Sequence, residues 1–258
     1  MANKIEINTD GFTQIQRQDP NRRLVVCVGA SIVRGNVSFN FVDLLSDRLS
    51  GKGFQFINAG VNGDLAYNVL QRLNSVITCQ PDFVTILVGT NDVIATISPR
   101  TAGFYRWTKK LPCTPTLKWY RENLEEIVKR LQQKTKAEIA LISLPVLGED
   151  LSSHANQQIT KYNDAIREIA EKYDLAYLPV NEQQVEFLRL IQRKPGRGFN
   201  GTGLMWSAIV RHHLLQQSFD RISETNGLSL TTDYIHMNSR GGTIIADRIE
   251  AFLRTNSI

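Results

Sequence analysis

Short apolar runs alternate along the chain with segments of helical spacing, and this alternation limits the possible folds more than any other feature. The apolar runs predict β-strands over 24–29, 54–59, 83–88, 138–143 and 175–180. The remaining segments predict helices over 39–49, 66–78, 118–134, 153–173 and 240–254. Strands that alternate with helices form a parallel sheet covered on both faces. We therefore predict an α/β fold whose functional groups lie at the carboxyl ends of the strands.

The domain organisation follows from length and from two interruptions of the alternation. A chain of 258 residues has the length of one large α/β domain. Residues 1–22 are polar and lack periodicity, which predicts an N-terminal extension before a domain over 23–258. Two segments, 93–117 and 192–232, are predicted as long loops, the second with a helix over 204–220. Loops of this length are often lids or binding loops, or else disordered.

Composition argues against several classes of function. No apolar run is long enough to span a membrane and no secretory signal is visible, so we expect a cytoplasmic protein. The three cysteines, Cys27, Cys79 and Cys113, have no spacing typical of a zinc site. The net charge of +5 comes partly from basic clusters at 106–110 and 193–197. We interpret these clusters as solvated loops and expect no nucleic-acid partner.

Ser31 is the first candidate for chemistry, because it follows the predicted strand 24–29 in the motif Gly-Ala-Ser. Its surroundings match neither a phosphate-binding loop nor a dinucleotide fingerprint, and they lack the GxSxG pattern of α/β-hydrolases. A serine at the end of a central strand is well placed to act as a nucleophile. Taken alone, Ser31 is more typical of a serine that caps a helix.

Two further motifs follow the next strands. Gly60 and Gly63 lie after the run 54–59, and glycines there can turn the backbone so that an N–H points into a cleft. Asn91 lies in the motif Gly-Thr-Asn-Asp after the run 83–88 and can donate its side-chain N–H to a developing oxyanion. In isolation, the same motifs are typical of a plain turn and of an Asx-turn.

Asp233 precedes His236 by three residues, just before the last predicted helix. Of the four histidines, only His236 has an acidic residue at this spacing. On a turn, the carboxylate can accept the Nδ1–H of the ring, which leaves Nε2 to act as a base. A surface Asp–His pair without a catalytic role would have the same spacing. The other histidines, for which we expect no metal role, are predicted to lie in helices: His154, His212 and His213.

Taken together and in this order, the motifs resemble the SGNH hydrolase family, also called GDSL lipases and esterases. The resemblance covers about 24–254 and implies a three-layer α/β/α sandwich of flavodoxin-like type with a central parallel sheet. It implies that Ser31 is the nucleophile and that Asp233 and His236 complete a catalytic triad. It implies no cofactor and no metal.

The resemblance also assigns an oxyanion hole and shows two departures from the family pattern. The implied donors are the backbone N–H groups of Ser31 and Gly63 and the side chain of Asn91, with Gly60 as the alternative glycine. Ala30 stands where the family usually has aspartate before the nucleophile. Met237 follows the histidine, where the family often has proline. Neither departure removes a residue of the implied triad or oxyanion hole.

We therefore expect hydrolysis of a small-molecule carboxylic ester through a Ser-His-Asp triad and an acyl-enzyme. An acyltransferase or a thioesterase would use the same residues, and a non-catalytic module that binds a small ligand is a further alternative. The sequence specifies no oligomeric state. Four aromatic residues can line an acyl pocket or anchor a loop: Phe104, Tyr105, Trp107 and Trp119.

Overall fold

A five-stranded sheet forms the centre of the computed structural model, which describes residues 19–191, 197–201 and 203–256. The strands are β1 Arg23–Gly29, β2 Phe54–Gly60, β3 Phe83–Leu87, β4 Glu138–Ile142 and β5 Ala176–Leu178. All neighbouring strands are parallel, and their order is β2-β1-β3-β4-β5. This is the order of flavodoxin-like sheets, in which the winding direction reverses between β1 and β3.

Helices cover the sheet in two layers. The described helices are α1 Ser31–Arg34, α2 Phe41–Leu49, α3 Ala66–Gln71, α4 Leu73–Thr78, α5 Thr90–Ile97, α6 Pro99–Thr108, α7 Leu117–Lys134, α8 His154–Lys172, α9 Val180–Ile191, α10 Gly203–His213, α11 Phe219–Thr225 and α12 Ser239–Thr255. Helix α12 contacts α2 and α9 in one layer, whereas α7 contacts α3, α4 and α8 in the other. The predicted three-layer α/β/α sandwich is confirmed.

The core forms where the apolar strands meet the apolar faces of these helices. Every residue of β1 from Leu24 to Gly29 is buried, as expected for a parallel strand covered on both faces. Helix α7 begins where the side chain of Thr116 accepts the N–H of Trp119. The buried positions of α7 recur at helical spacing: Tyr120, Asn123, Leu124, Ile127, Val128 and Leu131.

The prediction of a long loop over 93–117 is wrong, because most of this segment is helical. Helix α5 extends to Ile97, and α6 follows almost at once. The start of α6 has a local cause: the side chain of Ser98 accepts the N–H of Thr101, and Pro99 occupies the first helical position. The proline and threonines that suggested a loop are therefore signals for the beginning of a helix.

The second predicted loop, 192–232, also contains more helix than expected. Helix α10 ends at His213, so the helix predicted over 204–220 is too long. A separate helix, α11, begins after Ser218, whose side chain accepts the N–H of Arg221. Residues 192–196, with most of the basic cluster at 193–197, lie outside the described residues, as does residue 202.

Other boundaries differ from the prediction on a smaller scale. The helix predicted over 66–78 is divided at Arg72, whose backbone leaves the helical conformation. The strand predicted over 175–180 ends at Leu178, because Val180 already begins α9, a helix the sequence analysis did not anticipate. Residues 1–18 are outside the described ranges, so the extension over 1–22 and the domain over 23–258 stay predictions. None of the described helices combines the length and apolar character needed to cross a bilayer.

Candidate active site

Ser31 lies at the carboxyl end of β1, as its position in the sequence suggested. It is the first residue of α1, and it is buried. The first N–H groups of a helix have no partner within that helix, so the N–H of Ser31 is available to a ligand. Gly29 permits the close contact of β1 with β3, because a Cβ there would lie 2.2 Å from the carbonyl oxygen of Leu87.

The structure brings Ser31, His236 and Asp233 into one chain of hydrogen bonds. The Nε2 atom of His236 lies 2.9 Å from the Ser31 Oγ, and its Nδ1 lies 2.8 Å from the Asp233 Oδ2. All three side chains are buried. Because an ionised carboxylate can only accept, Nδ1 carries the ring proton and Nε2 accepts from the serine hydroxyl. This arrangement can transfer the hydroxyl proton of Ser31 to the imidazole.

The turn that carries Asp233 and His236 is held largely by its own hydrogen bonds. The Asp233 Oδ1 accepts the N–H groups of Ile235 at 3.1 Å and His236 at 2.8 Å. Tyr234 between them has a φ of 76°, in the left-handed region that non-glycine residues seldom adopt. Burial raises the pKa of Asp233, but the charge of His236 and the hydrogen bonds to the carboxylate lower it by more, so Asp233 stays ionised.

Buried polar groups from distant parts of the chain anchor both ends of this turn. The Glu149 carboxylate accepts three consecutive backbone N–H groups, those of Ser229, Leu230 and Thr231. After the turn, the N–H of Met237 donates to the Ser38 Oγ at 3.0 Å. A proline at position 237 could not make this bond, so the departure from the family pattern has a structural counterpart. The sequence analysis identified neither Glu149 nor Ser38, because nothing at the local level marks them.

Asn91 lies in the first turn of α5, beside the segment that carries Gly63. Its Nδ2 donates to the carbonyl oxygen of Asp64 at 2.9 Å, and its Oδ1 accepts from the Tyr105 hydroxyl at 2.7 Å. One hydrogen of the amide remains after the bond to Asp64, since Nδ2 carries two. Asn91 is therefore linked directly to the turn of the predicted oxyanion glycine.

Gly63 lies in a turn held by charged side chains from other elements. Its φ of 75° requires a residue that tolerates the left-handed region. The neighbouring Asp64 carboxylate pairs with Arg72 at 2.8 Å and with Lys109 at 3.0 Å. The alternative glycine, Gly60, has a packing role instead, because a Cβ there would lie 2.3 Å from the backbone nitrogen of Arg34.

Asp92 is a buried acid beside Asn91. Its carboxylate accepts the N–H of Ala66 at 3.2 Å, which ties α5 to the start of α3. Burial raises the pKa of Asp92 from 3.8 to about 8, and the nearby Asp64 charge adds to this. The carboxyl group is therefore largely protonated at neutral pH.

A narrow pocket opens beside Ser31. It is lined by Ala30, Ser31, Ile32, Leu87, Val88, Gly89, Thr90, Asn91 and Ile235. Most of these groups are apolar, whereas Ser31, Thr90 and Asn91 supply the polar ones. Ala30 is one of the lining residues, at a position where the family usually has a charged aspartate.

The aromatic residues and the other histidines named in the sequence analysis lie in different parts of the structure. Tyr105 reaches the site, but Phe104 and Trp107 are 60% and 83% exposed on the same helix. Trp119 stacks on Tyr67 with ring centroids 5.2 Å apart. His212 stacks on Phe219. Over the described ranges, no three His, Cys, Asp or Glu side chains are grouped to hold a metal ion.

This fold, with a buried serine, histidine and aspartate joined at the carboxyl edge of the sheet, defines the class of α/β serine hydrolases. Residues 27–243 match the model of the GDSL-like lipase/acylhydrolase family. The chain belongs to this family, and it is an ester-hydrolysing serine hydrolase acting on small-molecule esters. The family resemblance stated from the sequence is confirmed.

Solved structures with the same fold have low sequence identity to the chain. The acetyl xylan esterase AlAXEase has a TM-score of 0.64 at 19% identity, over 89% of this chain and 99% of its own. The acetylxylan esterase Axe2 from Geobacillus stearothermophilus has a TM-score of 0.63 at 17% identity, over 94% and 95%. The α/β hydrolase LAE5 from the metagenome of Lake Arreo has a TM-score of 0.59 at 19% identity, over 89% and 94%. None of the curated protein sequences matches the chain.

Proposed function

We propose that the protein hydrolyses short-chain carboxylic esters with Ser31 as nucleophile and His236 as general base. The observation that carries this proposal is the hydrogen-bonded chain Ser31–His236–Asp233, with distances of 2.9 Å and 2.8 Å. As the Ser31 Oγ attacks the ester carbonyl carbon, its proton moves to the Nε2 of His236. Asp233 holds the ring in the required tautomer and stabilises the imidazolium.

The oxyanion that develops on the carbonyl oxygen needs donors already in place. The N–H of Ser31 at the start of α1, the N–H of Gly63 and the free amide hydrogen of Asn91 are the proposed donors. Donors that are fixed before the reaction stabilise the transition state without reorganisation. The left-handed conformation of Gly63 and the bond from Asn91 to Asp64 support this assignment.

The reaction then proceeds through an acyl-enzyme. The bond from the carbonyl carbon to the alcohol oxygen breaks, and the imidazolium of His236 gives its proton to the leaving alcohol. Water attacks the acyl group on the Ser31 Oγ while His236 accepts a proton from it. Release of the acid returns that proton to Ser31. These steps use only the ester, one water molecule and groups of the chain itself.

The pocket favours a small acyl group. Its apolar walls, among them Val88, Ile235 and the methyl group of Ala30, lie close around Ser31. Two of the structural neighbours are described as acetylxylan esterases, which agrees with an acyl group of acetyl size. Variants of Axe2 that replace a serine, an aspartate or a histidine are described as catalytic mutants, in keeping with the proposed roles.

Turnover of p-nitrophenyl acetate by Ser31→Ala tests this function. We expect the variant to lose at least about 10⁴-fold in kcat, because no other group can form the acyl-enzyme. Ser152→Ala, which changes an exposed serine, should retain wild-type turnover. Equal rates for wild type and Ser31→Ala would refute the assignment of the nucleophile.

A further inference from the structure

One face of helix α6 contacts both segments that carry the proposed oxyanion donors. Tyr105 lies in α6, and Lys109 directly follows the last residue of this helix. Because the N–H of Lys109 still donates to the carbonyl oxygen of Tyr105 four residues earlier, the two side chains project from the same side. Tyr105 reaches Asn91 in α5, and Lys109 reaches the turn of Gly63 between β2 and α3. These are two different segments of the chain, and α6 touches each with one side chain.

The hydroxyl of Tyr105 fixes the orientation of the Asn91 amide. It donates to the Asn91 Oδ1 at 2.7 Å, and both groups are buried. On the other side, the carbonyl oxygen of Asp64 can only accept, so it requires the Nδ2 of Asn91. A flipped amide would bring two oxygens together at Asp64. The amide is therefore held from both ends, with its second Nδ2 hydrogen free.

Tyr105 is suited to this task over a wide pH range. Burial raises the pKa of its phenol above the usual value of 10.0. The phenol therefore stays protonated and keeps its hydrogen for the bond to Asn91 at the pH values at which His236 acts as a base.

Lys109 closes the other side of the oxyanion hole. Its Nζ donates to the carbonyl oxygen of Asn62 at 2.6 Å and pairs with the Asp64 carboxylate at 3.0 Å. It thus binds the residues immediately before and after Gly63. The aliphatic part of Lys109 lies over Gly63, since a Cβ on that glycine would be 2.8 Å from the Lys109 Cε. The turn cannot shift away from the site without breaking these contacts.

We propose that Tyr105 and Lys109 are positioning residues of the oxyanion hole, with Tyr105 acting through Asn91 and Lys109 acting through the Gly63 turn. Helix α6 is then a support for the reaction site rather than a loop beside it. This inference rests on the proposed function, because it concerns the donors of the same site. Neither residue touches the reacting atoms, so removal of either should lower kcat more than it changes KM.

A double-mutant cycle with p-nitrophenyl acetate tests the role of Tyr105. Tyr105→Phe keeps the ring and removes the hydroxyl, and we expect kcat to fall about five- to tenfold with KM changed less than about threefold. Asn91→Ala alone should cost about 10²–10³-fold in kcat. In the Asn91→Ala background, Tyr105→Phe should have no further effect, because the group through which it acts is gone.

Lys109→Met tests the contact of Lys109 with the Gly63 turn. It also keeps the inference testable if Tyr105→Phe does not fold. We expect a fall of about threefold to tenfold in kcat that persists in the Asn91→Ala background, because Lys109 acts through Gly63. The controls are Tyr173→Phe, whose hydroxyl binds Glu125, and Lys110→Met, which changes an exposed lysine on the adjacent position. Both controls should match wild type, and thermal unfolding of each variant checks that it is folded.

Two results would overturn this inference. One is that Tyr105→Phe and Lys109→Met both match their controls. The other is that Tyr105→Phe costs the same factor with and without Asn91, which would indicate a general structural role. Loss of activity in Ser31→Ala together with either result leaves the proposed function intact. Undiminished activity in Ser31→Ala would instead remove the proposed function itself.

Discussion

The two turns that complete the site are held in different ways. The histidine turn, residues 233–236, is buried and closes on itself, because the Asp233 carboxylate accepts two N–H groups of the same turn. The glycine turn, residues 61–64, is partly exposed and is bound by Arg72 and Lys109 from two later segments of the chain. The first turn owes its shape mainly to neighbouring residues, and the second owes it to contacts with distant parts of the chain.

This difference explains which functional residues the sequence could indicate. Asp-x-x-His is a local pattern, and the bonds that shape it are made within four residues. The Gly63 turn is also visible locally as a glycine motif, but the residues that support it lie 8 and 45 positions after Asp64. Only folding brings those supports together. A local pattern therefore indicates the residues proposed to react better than the residues that hold them in place.

The largest effect on kcat is expected from a substitution of Asp233 in the histidine turn. In Asp233→Asn, the side-chain oxygen can still accept the backbone N–H groups, but the amide nitrogen then faces the Nδ1 of His236. The ring must move its proton to Nε2, which can no longer accept from Ser31. We expect kcat for p-nitrophenyl acetate to fall about 10⁴-fold, with the protein still folded.

Asp164→Asn is the matched control for this change, because Asp164 is an exposed residue of α8 paired with Arg167. It should retain wild-type turnover. A fall of tenfold or less in Asp233→Asn would mean that the carboxylate does not set the tautomer of His236, whatever its distance from the ring.

A smaller effect is that the two turns should differ in how the stability of the protein depends on pH. The pKa of Asp233 is lowered, so the stability it contributes is present above its unfolded pKa and is lost as the pH falls. Asp92, which supports the segment after Gly63, has a pKa raised from 3.8 to about 8. Between pH 3.8 and about pH 8, the folded protein binds more protons at Asp92 than the unfolded chain does. The contribution of Asp92 to the free energy of unfolding is therefore lost as the pH rises.

Asp92→Asn should therefore flatten the stability profile between about pH 4 and about pH 8. In wild type, the contribution of Asp92 falls as the pH rises from about 4 to about 8 and then levels off. The asparagine can still accept the N–H of Ala66 but does not ionise. Urea unfolding of both proteins at about pH 5, 7 and 9 measures the slope. An unchanged slope would show that Asp92 is already ionised at neutral pH.

Much of the fold could be predicted, because a parallel sheet covered on both faces follows from the alternation of apolar runs and helices, and the flavodoxin-like type follows from the family resemblance. The segment 93–117 could not be assigned in the same way. Its proline and threonines suggested a loop, yet Ser98 and Pro99 begin a helix. The sequence also did not indicate which aromatic side chains of that helix point towards the site. Tyr105 binds Asn91, whereas Trp107 is 83% exposed. Composition does not specify which face of α6 meets the site, since the packing of α6 on α5 decides it.

The three side chains that the structure joins by hydrogen bonds could be singled out from the sequence, but their anchors could not. Ser31, His236 and Asp233 stand in short motifs at the ends of predicted elements. Glu149 supports the histidine turn from 80 residues away. The local sequence does not distinguish a buried glutamate that accepts three backbone N–H groups from an exposed one. Only the folded structure therefore reveals the role of Glu149.

Labelling with a fluorophosphonate probe, followed by peptide mass mapping, tests the central claim most directly. Such a probe forms a covalent bond only with a serine activated by a base. We expect a single adduct on the peptide that contains Ser31, with labelling lost in Ser31→Ala and strongly slowed in Asp233→Asn. An unlabelled wild type, or labelling that persists in Ser31→Ala, would contradict the assignment of Ser31 as the activated nucleophile.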